Sequence, residues 1–191
     1  MTLDEIASQI KVCKKCPLHK SWTNAVPGAG NAGAKILIIG EGPGQNEDRE
    51  GLPFVGDAGK FLDELLALAK IKRKDSFITN VVKCRPLNNR DPLEEEVGVC
   101  TRNYLFNQIR AIKPKLIITL GRHSMQVFFP QSRSVSQVHG KAYKKAGQVY
   151  YISYHPAAAL YQQNLKEVIK EDFEKIPEII KLIELGVNKL T

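Results

Sequence analysis

At 191 residues and 43% hydrophobic content, the chain is the size of one domain that can bury its own core. No basic-then-apolar leader opens it, and its longest apolar runs are strand-sized, so the composition excludes a membrane-spanning protein and points to the cytoplasm. Lys+Arg 28 against Asp+Glu 20 gives a formal charge of +8, which fits a polyanionic partner and equally an ordinary basic surface.

Residues 2–12 carry Leu3, Ile6, Ala7 and Ile10 at helical spacing, which predicts a short amphipathic helix. The basic knuckle Lys11-Val-Cys-Lys-Lys-Cys-Pro17 follows, then a Gly- and Asn-rich stretch at 24–33. The apolar run 34–39, closed by Gly40, suits a strand buried on both faces. Asp57 is the expected N-cap of a helix reaching Lys70, with Phe61, Leu62, Leu65, Leu66 and Ala69 turned inward. The second strand is expected over 77–82, and Pro92 opens a helix expected over 92–112. The third strand, 115–120, is stopped by Gly121 and followed by a short helix over 122–129. The fourth strand is expected over 149–154, and a last helix over 162–185 bends or restarts at Pro177. No repeat, low-complexity tract or linker interrupts this order, so residues 1–191 read as a single domain. Helices between buried strands predict an α/β fold with a mainly parallel sheet covered on both faces.

All four cysteines fall into two pairs, Cys13-x2-Cys16 and Cys84-x15-Cys100. Four thiols are the usual complement of one metal centre held by cysteine alone, and soft thiolates suit zinc or an iron–sulfur cluster. Two disulfides or four unrelated buried thiols are the alternatives, and a reducing cytoplasm disfavours the disulfides. His19 extends the knuckle to Cys-x2-Cys-x2-His, which leaves a mixed metal site open.

In open parallel sheets the site lies beyond the carboxyl ends of the strands. That rule selects the loop after Ile39, the residues after Thr79 and the residues after Tyr154. The first, Gly40-Glu-Gly-Pro-Gly-Gln-Asn-Glu-Asp48, is a poor phosphate loop: Pro43 removes an amide donor and no Gly-Lys-Ser/Thr follows. Glu41, Glu47, Asp48 and Glu50 face the single base Arg49. Carboxylates repel a pyrophosphate, yet they stabilise a developing cation or hold a nucleophilic water. A solvated acidic loop is the competing reading, and it is weakest for Glu41, pinned directly after the strand. Phe54, between Pro53 and Val55 in a loop, either offers its flat face to a planar ligand or plugs the core. Asn80 has the donor and acceptor needed to read a nucleobase edge, and is also an ordinary turn former. Pro156 fixes a first helical turn and so aims the His155 imidazole, a candidate donor or acid. His19, His123 and His139 have no such placement.

The ordered set Cys13/Cys16/Cys84/Cys100, Gly40-Glu-Gly-Pro-Gly44, Pro53-Phe-Val-Gly-x-Ala-Gly59, Thr79-Asn80, Lys83-Cys-Arg-Pro86 and His155-Pro156 spans nearly the whole chain. It resembles the iron–sulfur-containing uracil-DNA glycosylases, family four of that superfamily. The resemblance implies a three-layer α/β/α sandwich on a four-stranded parallel sheet, and a structural [4Fe-4S] cluster held by the four cysteines. It implies an enzyme that flips uracil out of single- or double-stranded DNA and hydrolyses its N-glycosidic bond, leaving an abasic site. Phe54 would then stack on the base in a pocket that includes Gly40. Asn80 would bond the base's polar edge, and the Gly42 amide and His155 would bond a carbonyl.

The chain departs from the best-known relatives in having Gly42 where they place an Asp. The task of positioning water therefore passes to Glu41, with Glu47 in reserve and Asn89 supporting Glu41. Three alanines follow His155-Pro156, so Leu160 or Tyr161 is expected to fill the gap left in the duplex. Arg85, Asn89, Ser153 and Leu160 are the expected DNA contacts. Lys83, Arg90, Arg133, Lys141, Lys144 and Lys145 are further candidates for phosphates. Lys11, Lys14 and Lys15 flank the cysteines or face solvent. The expected setting is a monomer at the nucleoid with no membrane. The rivals are a noncatalytic, metal-stiffened nucleic-acid-binding module and a redox protein acting on nucleotides. No flavin or nicotinamide fingerprint supports the latter.

Overall fold

A computed structural model describes residues 1–131 and 134–187. Its strands are β1 (Ala29–Gly30), β2 (Ile36–Gly40), β3 (Phe77–Asn80), β4 (Leu116–Leu120), β5 (Lys141–Lys145) and β6 (Gln148–Ser153). They form one sheet in the order β1-β3-β2-β4-β6-β5. The sheet is therefore six-stranded rather than four-stranded. The four strands read from the sequence are its parallel centre, and β1 and β5 add antiparallel edges.

Both edges escape a pattern search for physical reasons. β1 has two residues, too few for any period. β5 is rich in lysine, which suits an edge that must not pair with another chain. It returns to β6 through Ala146 and Gly147, both at positive φ, as a two-residue hairpin turn requires.

The helices are α1 (Leu3–Lys11), α2 (Gln45–Glu50), α3 (Asp57–Leu68), α4 (Glu94–Cys100), α5 (Phe106–Ile112) and α6 (Arg122–Phe128). After these come α7 (Val135–Val138), α8 (Ala158–Tyr161), α9 (Asn164–Glu174) and α10 (Ile176–Glu184). Gly56, not Asp57, caps α3, and Asp57 enters its first turn to pair with Lys60. The helix expected over 92–112 begins at Glu94 and is interrupted by a π-helical turn at Thr101–Leu105. Pro177 sits in the first turn of α10, where its missing N–H costs nothing. No helix among the described residues is long and apolar enough to cross a membrane.

Strand side chains alternate between two cores, as a period of two demands. Ile38, Ile78, Ile118 and Tyr151 pack with α3, α9 and α10 through Leu62, Leu65, Ile169, Phe173 and Ile176. Leu37, Ile39, Phe77 and Ile117 pack on the opposite face with Ile6 and Ile10 of α1, Ile112 of α5 and Phe128 of α6. Helices thus cover both faces. The pairing register sets Gly40 beside Asn80 and Leu120 beside Ser153, so the carboxyl ends of the central strands finish together. The candidate site residues gather at that end.

Candidate active site and cysteine hollow

A cavity of about 230 Å³ opens at these strand ends, and Glu41, Gly42, Glu47, Phe54, Asn80 and His155 line it. Gly40 lies beneath: a Cβ there would stand 2.4 Å from Asn80 Oδ1 and 2.7 Å from Phe54 Cζ. Only a glycine keeps the gap between that ring and that amide.

Phe54 is held at φ +53, a left-handed conformation that costs a bulky residue about 1–3 kcal/mol. The surrounding structure fixes it from both sides. Arg73 Nη2 donates to the carbonyls of Pro53 (2.7 Å) and Phe54 (3.0 Å). Glu47 Oε1 accepts from the amides of Val55 and Gly56, both at 2.9 Å, while Oε2 accepts from Gly44 N–H at 3.1 Å. Gly59 completes the turn, since a Cβ on it would fall 1.9 Å from the Phe54 carbonyl oxygen. The ring is 6% exposed, belongs to the α3-side core and also lines the cavity. It stacks on the His155 imidazole with centroids 5.6 Å apart and planes at 26°.

His155 Nδ1 accepts the Ala157 amide at 3.1 Å. A backbone N–H can only donate, so the proton of the neutral ring resides on Nε2. Burial pulls the His155 pKa down to about 4, the Glu47 carboxylate opposing this only weakly. Near neutral pH the ring is therefore an uncharged Nε2–H donor, and the imidazolium-acid alternative loses its basis. Asn80 is buried, and its side-chain amide bonds no other described residue. Both ends of that amide are available to a guest in the cavity.

Glu41 is half-buried. Burial raises its carboxyl pKa, His123 lowers it, Asp91 raises it and Arg122 lowers it. His123 Nε2 lies 3.7 Å from Glu41 Oε2 and 3.5 Å from Asp91 Oδ2. Arg122 Nη2 reaches Asp91 Oδ2 at 2.5 Å and His123 Nε2 at 3.1 Å. This group did not emerge from the sequence, although a signal existed. Gly121 ends β4 just as Gly40 ends β2, and the strand-end rule points to Arg122 and His123 directly after it.

Several expected contacts move. Asn89 lines the cavity, but its Oδ1 accepts from Arg85 Nε at 2.7 Å, so it does not support Glu41. Ser153 is 0% exposed at the end of β6, where it pairs with Leu120 of β4, and is out of reach of DNA. Lys83 is buried as well, donating to Thr79 Oγ1 (2.6 Å), the Asn80 carbonyl (2.6 Å) and Gln108 Oε1 (2.7 Å). It braces the cavity floor instead of meeting a phosphate. Arg90 makes a two-pronged pair with the buried Glu96 at 2.7 and 2.9 Å. Asp48 is taken up by the amides of Thr23 and Asn24.

Lys144 and Lys145 pair with Val149 and Gln148, at the end of the sheet away from the cavity, whereas Lys141 pairs with Ile152 near it. Arg133 lies outside the described residues. Leu160 (49% exposed) and Tyr161 (87%) stand out from α8 beside the cavity mouth.

On the α1 face, Cys13, Cys16, Cys84 and Cys100 line one small hollow with Ile10, Leu18 and Tyr104. None is in a disulfide, and their sharing of one hollow sets aside the reading of four unrelated thiols. Burial raises the Cys84 thiol far above its usual range, and the neighbouring thiolates add to this. Burial likewise pushes Cys100 up to about 11. Lys83 also lines the hollow and favours the Cys100 thiolate, but one ammonium does not balance four converging thiolates, and a cluster ligated by four cysteines would supply the remaining positive charge. His19 is not part of the lining, and its Nδ1 lies 2.7 Å from the Cys16 carbonyl oxygen, so a mixed site is not formed.

The model of the Uracil DNA glycosylase superfamily matches residues 27–176, and the chain belongs to that superfamily. Within it the chain is similar to proteins described as Type-4 uracil-DNA glycosylases. It is 49% identical to that of Saccharolobus solfataricus over 93% of this chain and 86% of the relative. Identity to the Archaeoglobus fulgidus protein is 48%, over 93% of each. For the Thermotoga maritima protein it is 40%, over 94% of this chain and 95% of the relative.

Proposed function

We propose that the chain is a uracil-DNA glycosylase that hydrolyses the N-glycosidic bond of uracil in DNA and leaves an abasic site. The observation that carries this reading is the meeting of three groups in one cavity: an aromatic face, an unengaged amide and a neutral imidazole donor.

A base inside a duplex is out of reach, so the nucleotide must be everted into the cavity. There the Phe54 face covers the planar base, and the Asn80 amide pairs with its polar edge. Bond cleavage leaves negative charge on the uracil. The Nε2–H of His155 and the amide of Gly42 are set to receive it without first losing a proton. A preorganised donor of this kind is worth about 3–4 kcal/mol of barrier. The sugar develops positive charge, which the Glu41 carboxylate offsets while orienting the attacking water. Glu47 serves differently, because its oxygens already hold three loop amides.

Cys13, Cys16, Cys84 and Cys100 would hold the [4Fe-4S] cluster. When bound it supplies a covalent tie between the N-terminal knuckle and the start of the π-helical turn. Arg85 at the rim and Leu160 or Tyr161 on α8 are the groups suited to the backbone and to the vacated stack. On this reading, residues 1–191 act as one domain and as a monomer, on DNA at the nucleoid.

The test is incubation of the purified protein with matched strands containing uracil or thymine, scored for abasic sites. Release from uracil alone is expected. Strand retention without base release would favour a noncatalytic module.

A further inference from the structure

Asn80 lines the cavity with its side chain, yet the order of the sheet leaves its main chain unfinished. The Val81 amide donates to the Gly40 carbonyl of β2 at 3.0 Å. Across a trans peptide the carbonyl points the opposite way from the amide that follows it. The Asn80 carbonyl is therefore aimed away from β2, toward the edge strand β1. That edge has already stopped: its register pairs Gly30 with Phe77 and Ala29 with Ile78, and goes no further along β3. What meets the Asn80 carbonyl instead is Lys83 Nζ, at 2.6 Å.

A lysine that is 1% exposed is costly unless its charge is fully bonded. Lys83 has three partners, with Thr79 Oγ1 at 2.6 Å and Gln108 Oε1 at 2.7 Å completing the set. Each of them accepts. The Thr79 hydroxyl donates its own proton to the Pro27 carbonyl at 2.9 Å. Gln108 Nε2 donates to that same carbonyl at 2.7 Å, which turns Oε1 toward Lys83. Three acceptors call for three protons, so Nζ is an ammonium by count. Thr79 and Gln108 are buried too, and water does not compete for these bonds.

We propose that Lys83 is the positioning residue for Asn80: its ammonium takes the place of the missing strand partner and fixes the last peptide of β3, from which the base-reading amide projects. This deepens the role given to Asn80 above and rests on it. A side chain that must stay unbonded until a base arrives can be fastened only through its main chain. The tolerance is small, since even a Cβ on Gly40 would stand 2.4 Å from Asn80 Oδ1. Misplacing such a group by an ångström costs about 100-fold in rate. Lys83 also lines the cysteine hollow, so the substitution that tests it has to keep a straight stem there. Met does so and removes only the charge and its donors.

The experiment is single-turnover uracil release by the holoprotein at neutral pH. Inhibition by free uracil and the melting temperature are measured on the same samples, compared at equal visible absorption of the cluster. The variants are Lys83→Met, Asn80→Ala, the two combined, and Lys83→Met/Gln108→Met. Lys83→Met should release uracil roughly 10- to 100-fold more slowly, and free uracil should inhibit it about 10-fold more weakly. Added to Asn80→Ala, the Lys83 change should still lower the melting temperature but cost no further rate. The Gln108 change removes one of the acceptors stranded by Lys83→Met. It should return part of the lost melting temperature without returning the rate.

Rate losses that multiply in the Asn80 double variant would make Lys83 a support of the cavity at large and overturn its positioning role. So would a rate that recovers together with the melting temperature in Lys83→Met/Gln108→Met, or a Lys83→Met protein with wild-type rate and inhibition. An Asn80→Ala protein that matches the wild type in both would instead remove the Asn80 reading itself, and this proposal with it. Should Lys83→Met fold too poorly to assay, the rate is read on Lys83→Met/Gln108→Met, where a wild-type value is equally fatal.

Discussion

The base cavity and the cysteine hollow sit on one sheet and are built in opposite ways. The cavity is finished by the backbone: strand ends in register, a clamped left-handed turn, and side chains whose polar atoms stay unspent. The hollow is finished by nothing in the chain. Four thiols from three distant segments turn toward one another, and burial makes Cys16, Cys84 and Cys100 reluctant to ionise. One region is preorganised before its guest arrives, and the other, on the proposed reading, needs its cluster in order to hold. The cavity should therefore fail in chemistry when altered, and the hollow should fail in stability.

The sharpest test of that contrast is His155→Ala. It should slow base release by roughly 100- to 1,000-fold while DNA affinity and melting temperature change little. Equal losses of rate and affinity would mean that the imidazole serves binding, not the transition state.

Cys84→Ser should do the reverse. It should bleach the cluster's visible absorption and lower the melting temperature by about 10 °C or more, through loss of the tie. Retained colour would exclude Cys84 as a ligand.

His155 also gives the cavity a signature in stability. Its folded pKa of about 4 lies below the ordinary 6.5, so on acidification the unfolded chain takes up this proton first. The contribution is full above about pH 6.5 and falls away toward pH 4, by about 3 kcal/mol in all. Denaturant melts across that window should show the slope in the wild type and a shallower one in His155→Asn.

The smallest expected effect is that of Glu47→Ala, which strips the acceptor from three loop amides. It should cost about 1–3 kcal/mol of stability and weaken product-base binding. A protein whose affinity for free uracil is unchanged would show that the Phe54 turn holds without it.

What the sequence revealed follows the same divide. Buried strands closed by Gly40 or running into Asn80 and His155 announce themselves by apolar runs, so the residues at their ends were legible. The common register then had to bring Glu41, Phe54, Asn80 and His155 together. Roles assigned by residue type fared worse, because burial is settled by partners far away in the chain. Lys83 met Gln108, 25 positions on, and became a brace. Ser153 reads as polar and exposed, yet it is fully buried where the end of β6 runs beside β4. The edge strands carry no alternation to find, and the π-helical turn changes the phase of a helix without changing its composition.

The stacking of Phe54 on His155 carries a lesson for anyone redesigning the protein's selectivity. The ring that bounds the cavity also keeps the imidazole from rotating. Trimming it to admit bulkier bases would loosen the group to which the proposed function assigns stabilisation of the leaving base. On that reading breadth and speed are coupled through this contact, and a more permissive variant is expected to be a slower one.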